Sequence, residues 1–516
     1  FNTIYFQVRP RGNTFYHSLF EPWASELVGK LGNDPGWDPL EFAIEQAHKR
    51  GMELHAWFNV AKVWTNGTGA MPPASTPRHV VHAHPQWVKQ YNSEWWIDMG
   101  NPDAREYTED VVMELVRGYD IDGIQFDYLR YPGKDFDDWQ SFRIFSDGVE
   151  RDEWRRNNIN MFVRSMYRKI ITAKKYVKIG SAPLGIYKSI PGAQSSFTGY
   201  DGVYQDARQW LKEGVQDYIV PQLYWDFGEQ QNPNDPDFAA LCRDWCRENF
   251  NRHIIAGLGV YRPNIYNEVI EQILYARKEG AHGESFFRYE NIEQLQAMNG
   301  VYRYPSLAPA MRWKDSIPPL PPKEIEAIET QSGASLVRWK IPDAARDGEK
   351  PFRFVVYGSK EKDVDINNPK NIAAILSGTT ATFLDAKNSS LNNKMFYTVT
   401  SLDRANNEST SLPAAFPSEL ASVFLHRAAT PLLAQNFPNP FSKQTYISYE
   451  VPVKNSVVLR IQDSSTRKVF TLVNGSQEAG TYIVAVDSNQ LTFGKHEYIL
   501  QIGDNVATKI LEKKEN

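Results

Sequence analysis

The sequence predicts an α/β protein: a (β/α)8 barrel of the TIM type followed by two all-β sandwich domains. Three observations predict it. β-like runs alternate with helical ones up to about residue 310, which implies a parallel sheet or barrel. A proline-rich run, Asp315-Ser-Ile-Pro-Pro-Leu-Pro-Pro-Lys323, then favours stiff polyproline geometry and marks a boundary. Beyond it come only short strands separated by turn signals, the pattern of β-sandwiches.

The strand-like runs cover residues 3–8, 53–60, 121–128, 177–184, 217–225, 253–261 and 284–288. Between them, 39–50, 103–118, 151–175, 205–214 and 266–280 carry helical spacing, with Gly51, Gly118, Gly214 and Gly280 as stops. A weak run at 95–98 would make an eighth strand. Either one strand and helix belong upstream of residue 3, or the weak run is no strand. The expected domains are 1–316, 317–420 and 430–516. In the second, 335–341 with Trp339, 352–359, 380–384 and 395–402 read as strands; in the third, 445–451, 457–462, 468–472, 481–486 and 496–501 do. A boundary between these two is expected at 417–435.

Composition narrows the function. A length of 516 residues exceeds one ordinary core, so several domains are expected. A net charge of −5 offers no basic footprint, which argues against nucleic acid as a partner. The 14 Trp and 26 Tyr favour, weakly, a protein whose rings stack on sugars. Cys242 and Cys246 lie four apart in a helical segment and read as reduced packing residues. No run reaches the roughly 20 apolar residues of a membrane-spanning helix, and no signal segment opens the chain.

The chemistry points to Ile121-Asp-Gly-Ile-Gln-Phe-Asp-Tyr-Leu-Arg-Tyr-Pro132. Period-2 alternation puts Ile124 and Phe126 on one face and Gln125 and Asp127 on the other, with Asp127 at the carboxyl end, where α/β barrels keep catalytic groups. A second acid is sought among Asp98, Asp226 and Glu284, each near the end of a candidate strand. Arg9, Trp57, Asn59, Tyr128, Arg130, Tyr131, Tyr187, Gln222, Tyr224, Trp225 and Tyr261 fall at or just past strand ends as substrate-binding candidates; each has a packing role as its alternative. Arg9 needs an anionic partner, either Asp127, Asp98 or a carboxylate on the substrate.

His79, His82 and His84 match no closed zinc pattern and read as a loop over the cleft. Asp135, Asp137 and Asp138 lack the glycine-and-glutamate frame of a calcium loop, so no metal or other cofactor is expected. No Gly-x-Ser-x-Gly elbow suggests an esterase.

Read in order, Tyr5-Phe-Gln-Val-Arg-Pro10, Tyr16-His-Ser18, Trp37-Asp-Pro-Leu40, Ala47-His-Lys-Arg-Gly51, His55-Ala-Trp-Phe-Asn59, Gly123-Ile-Gln-Phe-Asp-Tyr128 and Pro221-Gln-Leu-Tyr-Trp225 resemble the glycosyl-hydrolase-like 10 family over about residues 1–310. The resemblance implies a barrel that hydrolyses glycosidic bonds, some relatives acting on peptidoglycan strands stripped of peptide. In that family a further strand and helix precede the Arg-Pro strand. Against the family-18 chitinase motif, Leu129 stands where the final Glu would fall, so that acid does not transfer.

If Asp127 acts alone, an N-acetylated sugar would supply the nucleophile through its own acetamido oxygen, with Tyr224 suited to that intermediate. The rival expectation is a glycan-binding surface protein without chemistry. Residues 317–420 resemble a fibronectin type III domain, and 436–514, from Asn-Phe-Pro-Asn-Pro to Ala-Thr-Lys-Ile, resemble type IX secretion sorting tails; a spacer or sugar-binding module is the alternative. An exported protein of the periplasm or cell surface, with an oligo- or polysaccharide as partner, is expected.

Overall fold

The computed structural model describes residues 1–228, 236–292, 298–329, 335–385, 395–413, 432–451, 453–478 and 480–515. Two compact units divide at the proline-rich connector, Phe1–Lys314 and Asp315–Asn516.

In the first unit seven strands lie parallel in chain order: β1 (Thr3–Arg9), β2 (Glu53–Asn59), β3 (Gly123–Asp127), β4 (Lys178–Ser181), β5 (Tyr218–Ile219), β6 (His253–Leu258) and β7 (Gly283–Phe286). Helices alternate with them: α1 (Pro39–Lys49), α2 (Pro102–Gly118), α3 (Arg151–Ala173), α4 (Ala207–Lys212), α5 (Phe238–Arg247) and α6 (Pro263–Glu279). Local chemistry starts and stops these helices. Asp38 accepts hydrogen bonds from the Leu40 and Glu41 amides with Pro39 at the first turn, Asn101 caps α2 in the same way, and Gly280 in the left-handed region closes α6.

Ile124 and Phe126 are wholly buried on the helix side of β3, with Phe126 edge-on to Phe162 of α3 at 5.8 Å. The opposite face turns inward and the sheet curls. His55 on β2 shares a 2.7 Å hydrogen bond with the Tyr218 hydroxyl on β5, Tyr5 on β1 lies 6.3 Å from the Tyr218 ring, and Phe1 lies 6.0 Å from Phe286 on β7. The result is a curled half-barrel with a packed interior. Gly180 is required there, because a Cβ would stand 2.3 Å from the Tyr218 ring.

The weak run does form a strand, Glu94–Ile97, but not a barrel strand. It pairs antiparallel with Lys62–Thr65 and Val88–Tyr91 in a separate three-stranded sheet between β2 and α2. Short excursions of the chain pair antiparallel, whereas a barrel strand needs a crossover. The histidine loop lies in this excursion, each ring engaged: His79 accepts from the Val81 amide and bonds the Arg11 carbonyl at 2.8 Å, His82 bonds the Pro72 carbonyl, and His84 stacks on Trp87 at 3.8 Å.

The second unit is all β. Lys323–Glu329, Ser335–Lys340 and Thr382–Asp385 form one sheet; Ile372–Ser377, Arg353–Ser359, Phe396–Leu402 and Leu412–Pro413 form another, and Trp339, Phe354, Val356 and Tyr397 pack in one core. A second pair joins Leu432–Leu433, Gln444–Val451 and Gly480–Asp487, and then Val469–Gln477, Asn455–Gln462, Gly494–Ile502 and Asn505–Lys513, around Ile447, Leu459 and Tyr498. Alternate burial along Gln444–Val451 is the period-2 signal of such strands. Most of the boundary expected at 417–435 lies outside the described residues.

Candidate active site

Asp127 ends β3 in register with Asn59 of β2, its carboxylate facing the interior and 9% of the residue exposed. The Val60 and Ala61 amides continue the ladder onto the Asp127 and Tyr128 carbonyls at 2.8 and 3.2 Å, pinning the backbone past the strand end. Tyr128 then takes φ of +48°, a left-handed conformation costly for a residue with a Cβ, and its amide donates to Asp127 Oδ1 at 2.7 Å. Gln222 Nε2 approaches the same oxygen at 3.4 Å, and the Trp57 side chain donates to the carboxylate. Burial raises the Asp127 pKa; the Tyr128 amide, Arg130, Trp57 and Lys62 pull the other way without cancelling it.

Rings wall the space beside this acid. Tyr224, from the segment after β5, stacks on Phe287, which follows β7, with centroids 6.0 Å apart and planes at 13°. Tyr261 meets both edge-on at 6.1 and 5.7 Å, and Trp57 meets Phe287 edge-on at 5.9 Å. Burial and the nearby Asp127 charge push the Tyr224 hydroxyl pKa up, so it stays a proton donor. Trp225 packs over Gly185, where a Cβ would come within 2.8 Å of the indole and 2.3 Å of the Gln222 carbonyl oxygen. Asn59 Oδ1 and Gln125 Oε1 are buried acceptors without a partner among the described residues.

The remaining candidate acids are engaged elsewhere. Asp98 is buried, accepting from Ser141 at 2.5 Å and the Gly100 amide at 2.9 Å, and burial pushes its pKa up to about 6. Glu284 on β7 accepts from Arg277 of α6 at 2.9 Å and from the Tyr302 hydroxyl, so it points into the helix layer. Asp226 accepts from Asn264 at the start of α6 at 2.7 Å.

Several rim candidates are structural. Arg9 forms a bidentate pair with Glu21 at 2.7 and 2.5 Å and donates to the Asn59 and Val60 carbonyls; its anion is neither Asp127 nor Asp98. Tyr131 is buried edge-on to Phe136 and Tyr204, and Tyr187 donates to Asp206 at 2.6 Å and packs on Trp245. Asn59 holds the Pro10 carbonyl at 2.7 Å.

Phe287, Lys62 and Trp96 join the site without having been expected there. Phe287 follows β7 by one residue, so the strand-end rule that singled out Tyr224 reaches it too. Lys62 and Trp96 come from the small antiparallel sheet, and nothing in sequence spacing folds that sheet against β3. Lys62 lies 4.8 Å from the Tyr128 ring, and Trp96 lies 5.7 Å from it.

A buried acid at a strand end, walled by aromatic rings on a parallel half-barrel, is an arrangement compatible with glycoside hydrolase chemistry. The chain belongs to the glycosyl hydrolase-like 10 family, whose model matches residues 1–269. It is similar to glycosyl hydrolase YngK of Bacillus subtilis (strain 168), 31% identical over 440 residues that cover 79% of this chain and 84% of that protein. Glycosyl hydrolase DigH of Escherichia coli (strain K12) is 34% identical over 245 residues, covering 44% of this chain and 55% of that protein. Among solved structures, an alpha-L-fucosidase isoenzyme 2 from Paenibacillus thiaminolyticus aligns with a TM-score of 0.38 at 11% identity, covering 100% of this chain and 94% of that one.

Proposed function

We propose that the first unit hydrolyses O-glycosidic bonds of a bacterial or complex glycan with Asp127 as its proton donor. The observation that carries this reading is the buried Asp127 carboxyl, its pKa raised, beside the Tyr224–Phe287 wall. An acid whose proton is held more tightly than that of an exposed carboxylate can give it to a leaving glycosidic oxygen, and the rings offer apolar faces to a sugar.

Asp98, Asp226 and Glu284 are held by Ser141, Asn264 and Arg277, which favours a reaction with one protein carboxylate. In that reaction Asp127 gives its proton to the leaving oxygen as the C1–O bond breaks. The acetamido oxygen of the same sugar closes on C1, and water, deprotonated by Asp127, then opens the ring. Tyr224, close enough to Asp127 to feel its charge, donates a hydrogen bond to the acetamido group. The substrate in this reading carries N-acetylhexosamine, as peptide-free peptidoglycan strands do. The two β-modules of the second unit space or anchor an exported enzyme, a reading supported by the resemblance of 436–514 to sorting tails.

Mass spectrometry of products from peptide-free peptidoglycan, chitin-like and plant glycans tests the reading. New reducing ends from wild type, lost in Asp127→Asn with binding retained, support it. Wild type that releases no ends from any glycan favours a glycan-binding protein instead. Equal activity on a substrate without 2-acetamido groups removes the substrate-assisted route.

A further inference from the structure

Arg130 stands three residues past Asp127, and its guanidinium lies 5.2 Å from the Trp96 ring, 5.2 Å from Tyr128 and 5.8 Å from Phe197. Among the described residues its one hydrogen bond runs from Nη1 to the Tyr131 carbonyl at 3.2 Å. A guanidinium has five N–H donors, so most of this group's capacity is unspent.

Arg9, Arg155 and Arg208 of this unit are matched to acids, Glu21, Asp138 and Asp244, while Arg105 donates to the Met99 carbonyl and Asn158, and Arg262 to the Tyr224 carbonyl. The nearby Glu94 is not available in the same way, since it pairs with Lys62 at 2.5 Å. Burial disfavours the Arg130 charge and lowers its pKa, with Tyr128, Asp127 and Glu94 compensating in part. The left-handed turn at Tyr128 sets that ring between Lys62 and Arg130 and leaves the guanidinium beside the acid. A strained residue next to a partly buried cation with free donors marks a place suited to a ligand.

The ligand chemistry follows from the guanidinium. Its planar fork matches a carboxylate with two parallel hydrogen bonds, whereas a sugar hydroxyl would leave the charge unmatched. We propose that Arg130, framed by Trp96, Tyr128 and Phe197, is an anion-binding subsite that takes the carboxylate of an acidic sugar unit near the cleaved bond. The proposal rests on the glycan reading above and adds the charge of the substrate to it.

Two matched pairs of probes test it: peptide-free peptidoglycan strands and oligouronates, each with carboxyls free and with carboxyls amidated. Binding to the Asp127→Asn protein is measured by titration calorimetry, so hydrolysis is not needed for a result. The expected outcome is that the free-carboxyl member of at least one pair binds about tenfold or more tightly, and that adding Arg130→Gln erases the difference while Arg130→Lys keeps part of it. Equal affinity or no binding within both pairs overturns the proposal. So does an Arg130→Gln protein, with unchanged melting temperature, that binds both members equally more weakly. Should Arg130→Gln not fold, the comparison between free and amidated probes decides on its own. If no glycan is cleaved but the carboxylate preference stands, the hydrolase reading fails and the subsite survives.

Discussion

Arg9 and Glu21 form a fully buried bidentate ion pair, with bonds of 2.7 and 2.5 Å, beneath the carboxyl end of β2. Arg9 Nη1 also reaches the Asn59 and Val60 carbonyls, so the pair braces the backbone beside Asp127. Removing one partner leaves a buried charge unmatched, and Glu21→Gln is expected to cost about 3–5 kcal/mol, whereas the apolar double variant Arg9→Met with Glu21→Leu recovers much of it. Denaturant unfolding of the single and double variants checks this.

Asp127→Asn is expected to lower kcat/KM by about 10²- to 10⁴-fold, the usual contribution of a general acid. Because burial holds the Asp127 proton above the ordinary carboxylate range, wild-type activity should fall as pH rises through that raised pKa, and this alkaline limb should vanish from the residual activity of the variant. A pH profile of kcat/KM for both proteins measures it.

Asp98 gives a stability effect of defined sign. Its carboxyl, pushed from 3.8 up to about 6, binds a proton more tightly folded than unfolded. Stability from this group is therefore complete below about pH 4 and lost as pH rises through 6, by about 3 kcal/mol in all. Asp98→Asn should lack that decline, so the variant gains on wild type between pH 4 and 7 in denaturant titrations. An unchanged difference across the range would refute the assignment.

Gly185→Ala would place a Cβ 2.3 Å from the Gln222 carbonyl oxygen and 2.8 Å from Trp225. The backbone oxygen has no rotamer to yield, so about 1–3 kcal/mol of stability should be lost. Gln222 moves with it, and any glycan hydrolysis should weaken, read by thermal melting and initial rates.

Glu284→Gln should leave kcat within a few-fold of wild type, since Glu284 answers to Arg277 and Tyr302 rather than to the cleft, and cost about 1–3 kcal/mol as a weakened buried acceptor. A loss of kcat comparable to that of Asp127→Asn would make Glu284 the second catalytic acid.

Alternation and punctuation carried the fold a long way. The runs at 3–8, 53–60 and 121–128 became β1, β2 and β3, and Gly280 stops α6 where its missing Cβ permits a left-handed turn. The run at 95–98 deceived in placement but not in type, because a short strand carries no mark of its partner, and pairing with Lys62–Thr65 took it out of the barrel.

By itself, the sequence determined the parallel alternation of strands and helices, the break at the prolines, the family, and Asp127 at the tip of β3, since each depends on period, composition or local order along the chain. Tertiary structure alone decided the company of each charge. Arg9 went to Glu21 and Glu284 to Arg277, while Arg130 kept unspent donors beside Asp127. The reason is physical: a side chain's partner is set by which loops converge in space, and its proton affinity by how much water that convergence removes.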